Sequence, residues 1–258
     1  MKNKRILIGI IAIVLLAAIV VVSNILRRNQ QVRDLKVVVT YGAYTDVPKS
    51  NLQEAKGIDL SRTVDTLVTA ETLRQQMLTQ APTLLSVKVK EVNADQVARL
   101  ALKNPYVEKA KVSVNVMGHL VVKVVQRTPV VRLFTDKGEY YLSHDGHVMP
   151  LSQEGEADVL VGNGAIKTQK PKGMLEVAVW LYDNPLYGSL FDQVNLSSKG
   201  DIILVPKVGD HVVVLGSAEN MEQKMADLLV FYRQGMNQVG WNTYKEISLK
   251  YNGQIVCR

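Results

Sequence analysis

Residues 111–125 read Lys-Val-Ser-Val-Asn-Val-Met-Gly-His-Leu-Val-Val-Lys-Val-Val. Val112, Val114 and Val116 alternate with Lys111, Ser113 and Asn115. Val122 and Val124 alternate with Val121, Lys123 and Val125. A period of two puts successive side chains on opposite faces of a strand, so each run is a strand with one face buried. Met117-Gly118-His119 separates them as a turn, which makes the pair a β-hairpin.

Upstream of the hairpin the period becomes helical. Asn93 caps a helix, with Gln96 in the capping-box position and Val97, Leu100 and Ala101 as its apolar stripe; Asn104-Pro105 stops it. Residues 84–92 alternate in part (Leu85, Val87 and Val89 against Ser86, Lys88 and Lys90), which predicts a short extended segment. Thr69 caps an earlier helix carrying Leu73, Met77 and Leu78, ended by Ala81-Pro82. Residues 35–41, Leu-Lys-Val-Val-Val-Thr-Tyr, form a β-branched strand. Residues 42–65 show no period and read as loop-rich with one helical turn. The order is strand, helix, helix, hairpin.

Downstream the chain is mostly strand. Asp136-Lys137-Gly138 and Asp145-Gly146 are hairpin-type turns bracketing Glu139 to Leu142, with Val148-Met149 following. Residues 174–182 can form a helix. Residues 194–196, 202–206 and 211–215 are short strands between Gly/Asp turns. Ser217 is expected to cap a helix with Met221, Met225, Leu228, Leu229 and Tyr232 on one face, ended by Gly235. Ile247, Leu249 and Tyr251 then alternate with Ser248 and Lys250. Asn252-Gly253 marks a tight turn or a bulge before Gln254-Ile255-Val256-Cys257-Arg258, and the sequence leaves both readings open.

At the other end, residues 6–23 carry no charge, and with Asn24-Ile25-Leu26 the run is long enough for a membrane helix. A cleaved signal peptide would have a shorter apolar region and a small-x-small site; here the run exits into Arg27-Arg28, so an uncleaved anchor is favoured. Lys2, Lys4 and Arg5 precede the run, and Arg27, Arg28 and Arg33 follow it, so charge alone leaves the orientation a tie. The 258 residues carry a formal charge of +7 and a pI near 9.3, but the basic residues are scattered among acids. That pattern argues against nucleic acid, and the excess at the membrane flanks suits lipid phosphates.

No constellation for catalysis is present. Ser143-His144-Asp145-Gly146-His147 could suggest a metal, but Asp145-Gly146 sits where a turn is wanted and no matched third ligand follows. The lone Cys257 can form neither an intramolecular disulfide nor a zinc cluster, and reads as a strand residue. His119 and His211 are isolated. The Met-rich helix face reads as core. No cofactor or metal is implied. A strand-rich chain without such chemistry can bind through an exposed sheet edge. The closing segment is the candidate: Ser248, Lys250, Tyr251, Asn252, Gly253, Gln254, Ile255 and Val256. An ordinary interior strand is the equal alternative.

Several stretches resemble one family. Asn104-Pro105-Tyr106-Val107 to Val112, then Leu120 to Val125, then Gln126-Arg127-Thr128-Pro129-Val130 are similar to the end of the POTRA domain of the FtsQ (DivIB) cell division family. Tyr140 to Pro150 resembles its following strand pair. Lys224 to Tyr232, Gly240-Trp241 and Ile247 to Val256 resemble its closing helix and last strands, in the style of members from Bacteroidetes-type bacteria. The stretch 42–65 is longer than the family pattern, and His144 stands where an acidic or neutral residue is usual.

The resemblance implies an α+β protein. Residues 1–5 would be a cytoplasmic tail and 6–26 a single transmembrane helix. Residues 27–128 would be a juxtamembrane linker with a POTRA domain of order βααββ, and 129–258 a mainly antiparallel β-domain with a helix near the C-terminus. It implies an inner-membrane, single-pass protein, N-terminus cytoplasmic and bulk periplasmic, at the division septum. By resemblance the last strand pairs with FtsB, itself coiled with FtsL. The POTRA domain contacts other divisome components, and the complex controls septal peptidoglycan synthesis. The expected role is a docking scaffold and not an enzyme. The alternative is a POTRA-type accessory of polypeptide transport or outer-membrane assembly, whose long barrel the residues after Pro129 are too few to supply. A membrane-anchored wall enzyme would need a nucleophile or a metal site.

Overall fold

The structure, a computed structural model, describes residues 2–41, 66–115, 117–251 and 253–258, without the side chains of 2–12, 24 and 27. The stretch 42–65, Val116 and Asn252 lie outside the described residues, and so does the helical turn expected in 42–65. Two compact units divide the rest: one holds the chain up to Thr40 and Val68–Gln126, the other holds Tyr41, residues 66–67 and Arg127–Arg258.

The first unit opens with helix α1 (Lys2–Arg28). Among the described residues no helix is long and apolar enough to cross a membrane. The uncharged run of the sequence begins at Ile6, ahead of the first described side chain, Ile13. Strand β1 (Asp34–Tyr41) follows, then helices α2 (Ala70–Gln80) and α3 (Ala94–Ala101), then strands β2 (Val107–Val114) and β3 (His119–Gln126). The sheet order is β1-β3-β2.

The local chemistry explains the helix boundaries. Thr69 Oγ1 accepts from the Thr72 amide at 3.2 Å and Asn93 Oδ1 from the Gln96 amide at 3.0 Å, so each cap occupies an orphan helix donor. Asn104 explains its own place before Pro105: its Oδ1 accepts from the Tyr106 amide at 2.9 Å and its Nδ2 donates to Gln76 on α2 at 2.7 Å. Leu120, Val122 and Val124 of β3 bury against Leu73, Met77, Val97 and Ala101. Each such side chain contributes about 1.5–3 kcal/mol, Ala less. Residues 84–92 differ from the extended segment expected. They form 3₁₀ turns at Pro82–Leu85 and Val89–Glu91, with a single bridge from Lys88 to Gln31. Pro82 at the start of the first turn presets its φ.

The second unit is a mixed nine-stranded sheet. Its strands are β4 (Pro129–Thr135), β5 (Gly138–Ser143), β6 (Val148–Met149), β7 (Leu160–Gly164), β8 (Phe191–Leu196), β9 (Ile202–Pro206), β10 (Val212–Gly216), β11 (Glu246–Ser248) and β12 (Val256–Cys257). Their order is β12-β11-β10-β9-β8-β7-β4-β5-β6. The pairs β4–β7, β7–β8 and β10–β11 are parallel. A parallel pair needs a long crossover. Helices α4 (Lys172–Asp183) and α5 (Pro185–Gly188) supply it between β7 and β8. Helix α6 (Met221–Phe231), a π turn (Tyr232–Met236) and α7 (Asn237–Val239) supply it between β10 and β11. Helices α4 and α6 bury Met174, Val177, Leu181, Met225 and Leu228 in one core with Val194, Leu204, Val213 and Ile247.

Two expected helix boundaries move. The cap of α6 is Asn220, at φ 54°, and not Ser217; the Ser217 carbonyl is occupied by Lys224 Nζ at 2.9 Å. Gly235 lies inside the π turn against the Phe231 ring, and Gly240, at φ 92°, ends the helical stretch.

Candidate functional site: the β12 edge and its groove

Among the described residues, strand β12 is the last strand of the sheet and has only β11 beside it. The Arg258 amide donates to the Glu246 carbonyl at 2.9 Å, and the Glu246 amide returns the bond to the Arg258 carbonyl at 3.0 Å. In an antiparallel pair, residues that exchange both bonds alternate with residues that exchange none. Ile247 opposite Cys257 is therefore a pair without bonds, and Ser248 opposite Val256 is the next bonded pair. It follows that the N–H and C=O of Cys257, and those of Ile255 two residues earlier, point away from β11 into the free edge.

The residues expected at this edge do not form one continuous strand. Ser248 lies in β11, nine-tenths buried between neighbours on both sides. Leu249 leaves the strand but still donates to the Val214 carbonyl at 2.8 Å. Lys250, Tyr251, Gly253 and Gln254 form the connection to β12, closed by a bond from the Gln254 amide to the Tyr251 carbonyl at 3.2 Å. Asn252 lies outside the described residues. Ile255 leads into β12, and Val256 is within it. Ile255 and Cys257 both pack against the core.

Tyr251 is 58% exposed although its neighbour Leu249 is buried. Beneath it is a groove of about 210 Å³, lined by Leu249, Tyr251, Gly253 and Gln254 on one side and by the cap Asn220 with Gln223, Lys224 and Asp227 of α6 on the other. Lys224 is the unexpected member. Its Nζ donates to the Leu215 and Ser217 carbonyls at 2.8 and 2.9 Å, and burial holds its pKa below the usual lysine value. A lysine within the stripe Met221, Met225, Leu228 was the sequence signal for it. Lys250 reaches the other way. Its stem lies beside Gly216, and its Nζ meets both carboxylate oxygens of Asp201 at 2.8 and 3.0 Å, a bond that raises its pKa.

Behind the edge, His211 is buried at the start of β10, with Nε2 at 2.7 Å from the Tyr232 hydroxyl and Trp241 close to both rings. Burial pushes the His211 pKa down and that of Tyr232 up. At the opposite end of the sheet, Asp145 in the β5–β6 turn takes hydrogen bonds from Ser143 and Arg127, with His147 Nδ1 at 3.1 Å, while His144 turns to Asp183 at 2.9 Å. These residues are a turn and its ion pairs. Among the described residues no His/Cys/Asp/Glu group could hold a metal.

The model of a family described as FtsQ/DivIB, C-terminal related, matches residues 128–258, which is this whole sheet and its edge. The chain belongs to the FtsQ/DivIB family. It is also 28% identical over 204 residues to the cell division protein FtsQ of Salinibacter ruber (strain DSM 13855 / M31), covering 73% of this chain and 76% of that protein. FtsQ membership implies a role in cell division.

Proposed function

We propose that this protein is a membrane-anchored scaffold of the division machinery that binds a partner chain by strand addition at β12. The observation that carries the reading is the outward row of N–H and C=O groups on Ile255 and Cys257, beside a groove that side chains of an added strand can enter. The partner proposed is an FtsB-like single-span protein coiled with an FtsL-like one, and other divisome components meet the first unit. Docking of this kind would control septal peptidoglycan synthesis without chemistry in this chain.

Helix α1 is proposed as the single-pass inner-membrane anchor, with residues 1–5 cytoplasmic and the two units periplasmic. Its 27 residues rise about 40 Å, enough for a bilayer. Its described large apolar side chains between Ile13 and Leu26 are 52–70% exposed, which fits a lipid surrounding. The first unit is proposed to be a POTRA domain; its β-α-α-β-β order and its sheet order support this.

The test is a photo-reactive residue in place of Tyr251 in living cells. An adduct with a small, single-span coiled-coil protein is expected. No adduct from folded, inserted protein would remove the edge as the docking site, and adducts with outer-membrane proteins would favour a transport role.

A further inference from the structure

The five residues after α1 hold more than the start of a linker. Two parts of the first unit converge on them, through three backbone bonds. The Val89 amide donates to the Gln30 carbonyl at 2.9 Å, the Val32 amide to the Val87 carbonyl at 3.0 Å, and the Arg33 amide to the Gly118 carbonyl at 3.0 Å. Gln31 and Lys88 form a bridge between these bonds. The 3₁₀ turn at Val89–Glu91 and the β2–β3 turn are therefore fixed at the end of α1 by backbone bonds rather than by side chains.

What these parts expose is cationic and apolar. Arg28, Arg33, Lys88 and Lys90 are all exposed. None of the four forms an ion pair among the described residues, although Glu91 is adjacent. Met117, at the tip of the β2–β3 turn, is 63% exposed. Its position is held: Asn115 Oδ1 accepts from the amides of Met117 and His119, each at 3.0 Å, and Gly118 takes φ 81°, which closes the turn tightly. A held turn thus presents a large apolar side chain next to cations that have no acidic partner among the described residues, the pairing of groups that suits a lipid interface.

We infer that this end of the first unit is a lipid platform: Arg28, Arg33, Lys88 and Lys90 lie on anionic phospholipid headgroups, and Met117 enters the interface beside them. The inference rests on the proposal that α1 crosses the membrane. A helix of about 40 Å matches the bilayer including its headgroups, so Arg28 falls at phosphate level and the bonded turns fall beside it. Basic residues at that depth are attracted by anionic lipid, and the attraction decays within a Debye length. The platform would set the orientation of the first unit against the membrane.

The test uses the full chain in lipid nanodiscs, with a nitroxide at Met117→Cys in a Cys257→Ser background. One disc is phosphatidylcholine alone and the other has phosphatidylglycerol added. Relaxation of the label by a nickel chelate on the lipid headgroups is expected in the phosphatidylglycerol disc. It should fall in phosphatidylcholine or at raised salt, and the ratio of bound to free label should fall about fivefold for each of Lys88→Ala and Lys90→Ala. These two side chains are exposed and leave the backbone bonds in place. A second label at Ile13→Cys separates the two readings. If Ile13 is buried in lipid and Met117 shows no headgroup contact, or equal contact in both discs, the platform fails and the anchor stands. If Ile13 is not in lipid, both fail.

Discussion

Glu246 and Arg258 exchange both backbone hydrogen bonds, at 2.9 and 3.0 Å, and that one pair sets the direction of every donor on β12. Because the bonded pairs alternate, a proline at Ile255 removes a donor that faces the free edge, whereas a proline at Val256 removes one that faces β11. Ile255→Pro is expected to weaken the partner complex roughly five- to tenfold, the worth of one hydrogen bond, and also to lower Tm because Ile255 packs against the core, so binding is compared at a temperature where the variant is folded. Val256→Pro should lower the protection of β11 amides from exchange even without a partner. Equal binding by Ile255→Pro and wild type, in titrations with purified partner, would rule out strand addition at this register.

His211 makes stability depend on pH. Burial lowers its pKa below the ordinary 6.5, partly offset by the charge of Asp210. The unfolded chain therefore binds the proton more readily than the folded one. The contribution is complete above about 6.5 and is lost as pH falls through the lower folded value. His211→Gln cannot titrate, and it should flatten this part of a Tm-against-pH curve.

Asp145 acts on a more acidic limb. Burial raises its pKa, but the hydrogen bonds from Ser143 and Arg127 and the Arg127 charge outweigh that, and the net value is lowered. Its contribution is present above about 3.8 and is lost as pH falls through the lower folded value. Arg127→Ala removes one of the carboxylate's partners and leaves Ser143 in place, and because Asp145 is exposed the expected cost is about 0.2–1 kcal/mol. Thermal unfolding of Arg127→Ala and of Asp145→Asn, compared between neutral and acid pH, would check both the cost and the sign.

Gly164 faces Leu196 across the parallel β7–β8 pair, at φ 104°, and a Cβ there would sit 2.2 Å from the Leu196 carbonyl oxygen. The obstacle is backbone, which cannot swing aside. Gly164→Ala is expected to cost about 1–3 kcal/mol and to be visible as a lower Tm.

Much of this architecture was legible because it follows from period and capping. The hairpin of Val112 and Val122, the caps Thr69 and Asn93, and the turns at Asp136-Lys137 and Asp145-Gly146 each depend on residues close in sequence. Strand β7 was not legible: Leu-Val-Gly-Asn-Gly has two glycines and no alternation, and it is a strand because β4 and β8 pair with it on either side. The 3₁₀ turns at Pro82–Leu85 and Val89–Glu91 imitate alternation because their apolar residues join the core without pairing as a strand, apart from one bridge at Lys88. At the candidate site, the sequence pointed to the closing segment. It did not reveal that α6 forms one wall of the groove, because that contact joins residues about thirty apart through a parallel crossover.

That crossover also sets the edge apart from the centre of the sheet. Strand β11 pairs with β10 across α6, the π turn and α7, and among the described residues β12 is held to the sheet by β11 alone. In hydrogen exchange the β11–β12 pair should open as one sub-global unit, at a free energy below that of the central strands. Anything that loosens the seating of α6, such as a change at Tyr232 or Met225, would then appear first as a failure to dock and only later as a failure to fold. A partner strand laid along β12 would lend the same unit its missing neighbour, so assembly itself would finish the folding of this edge.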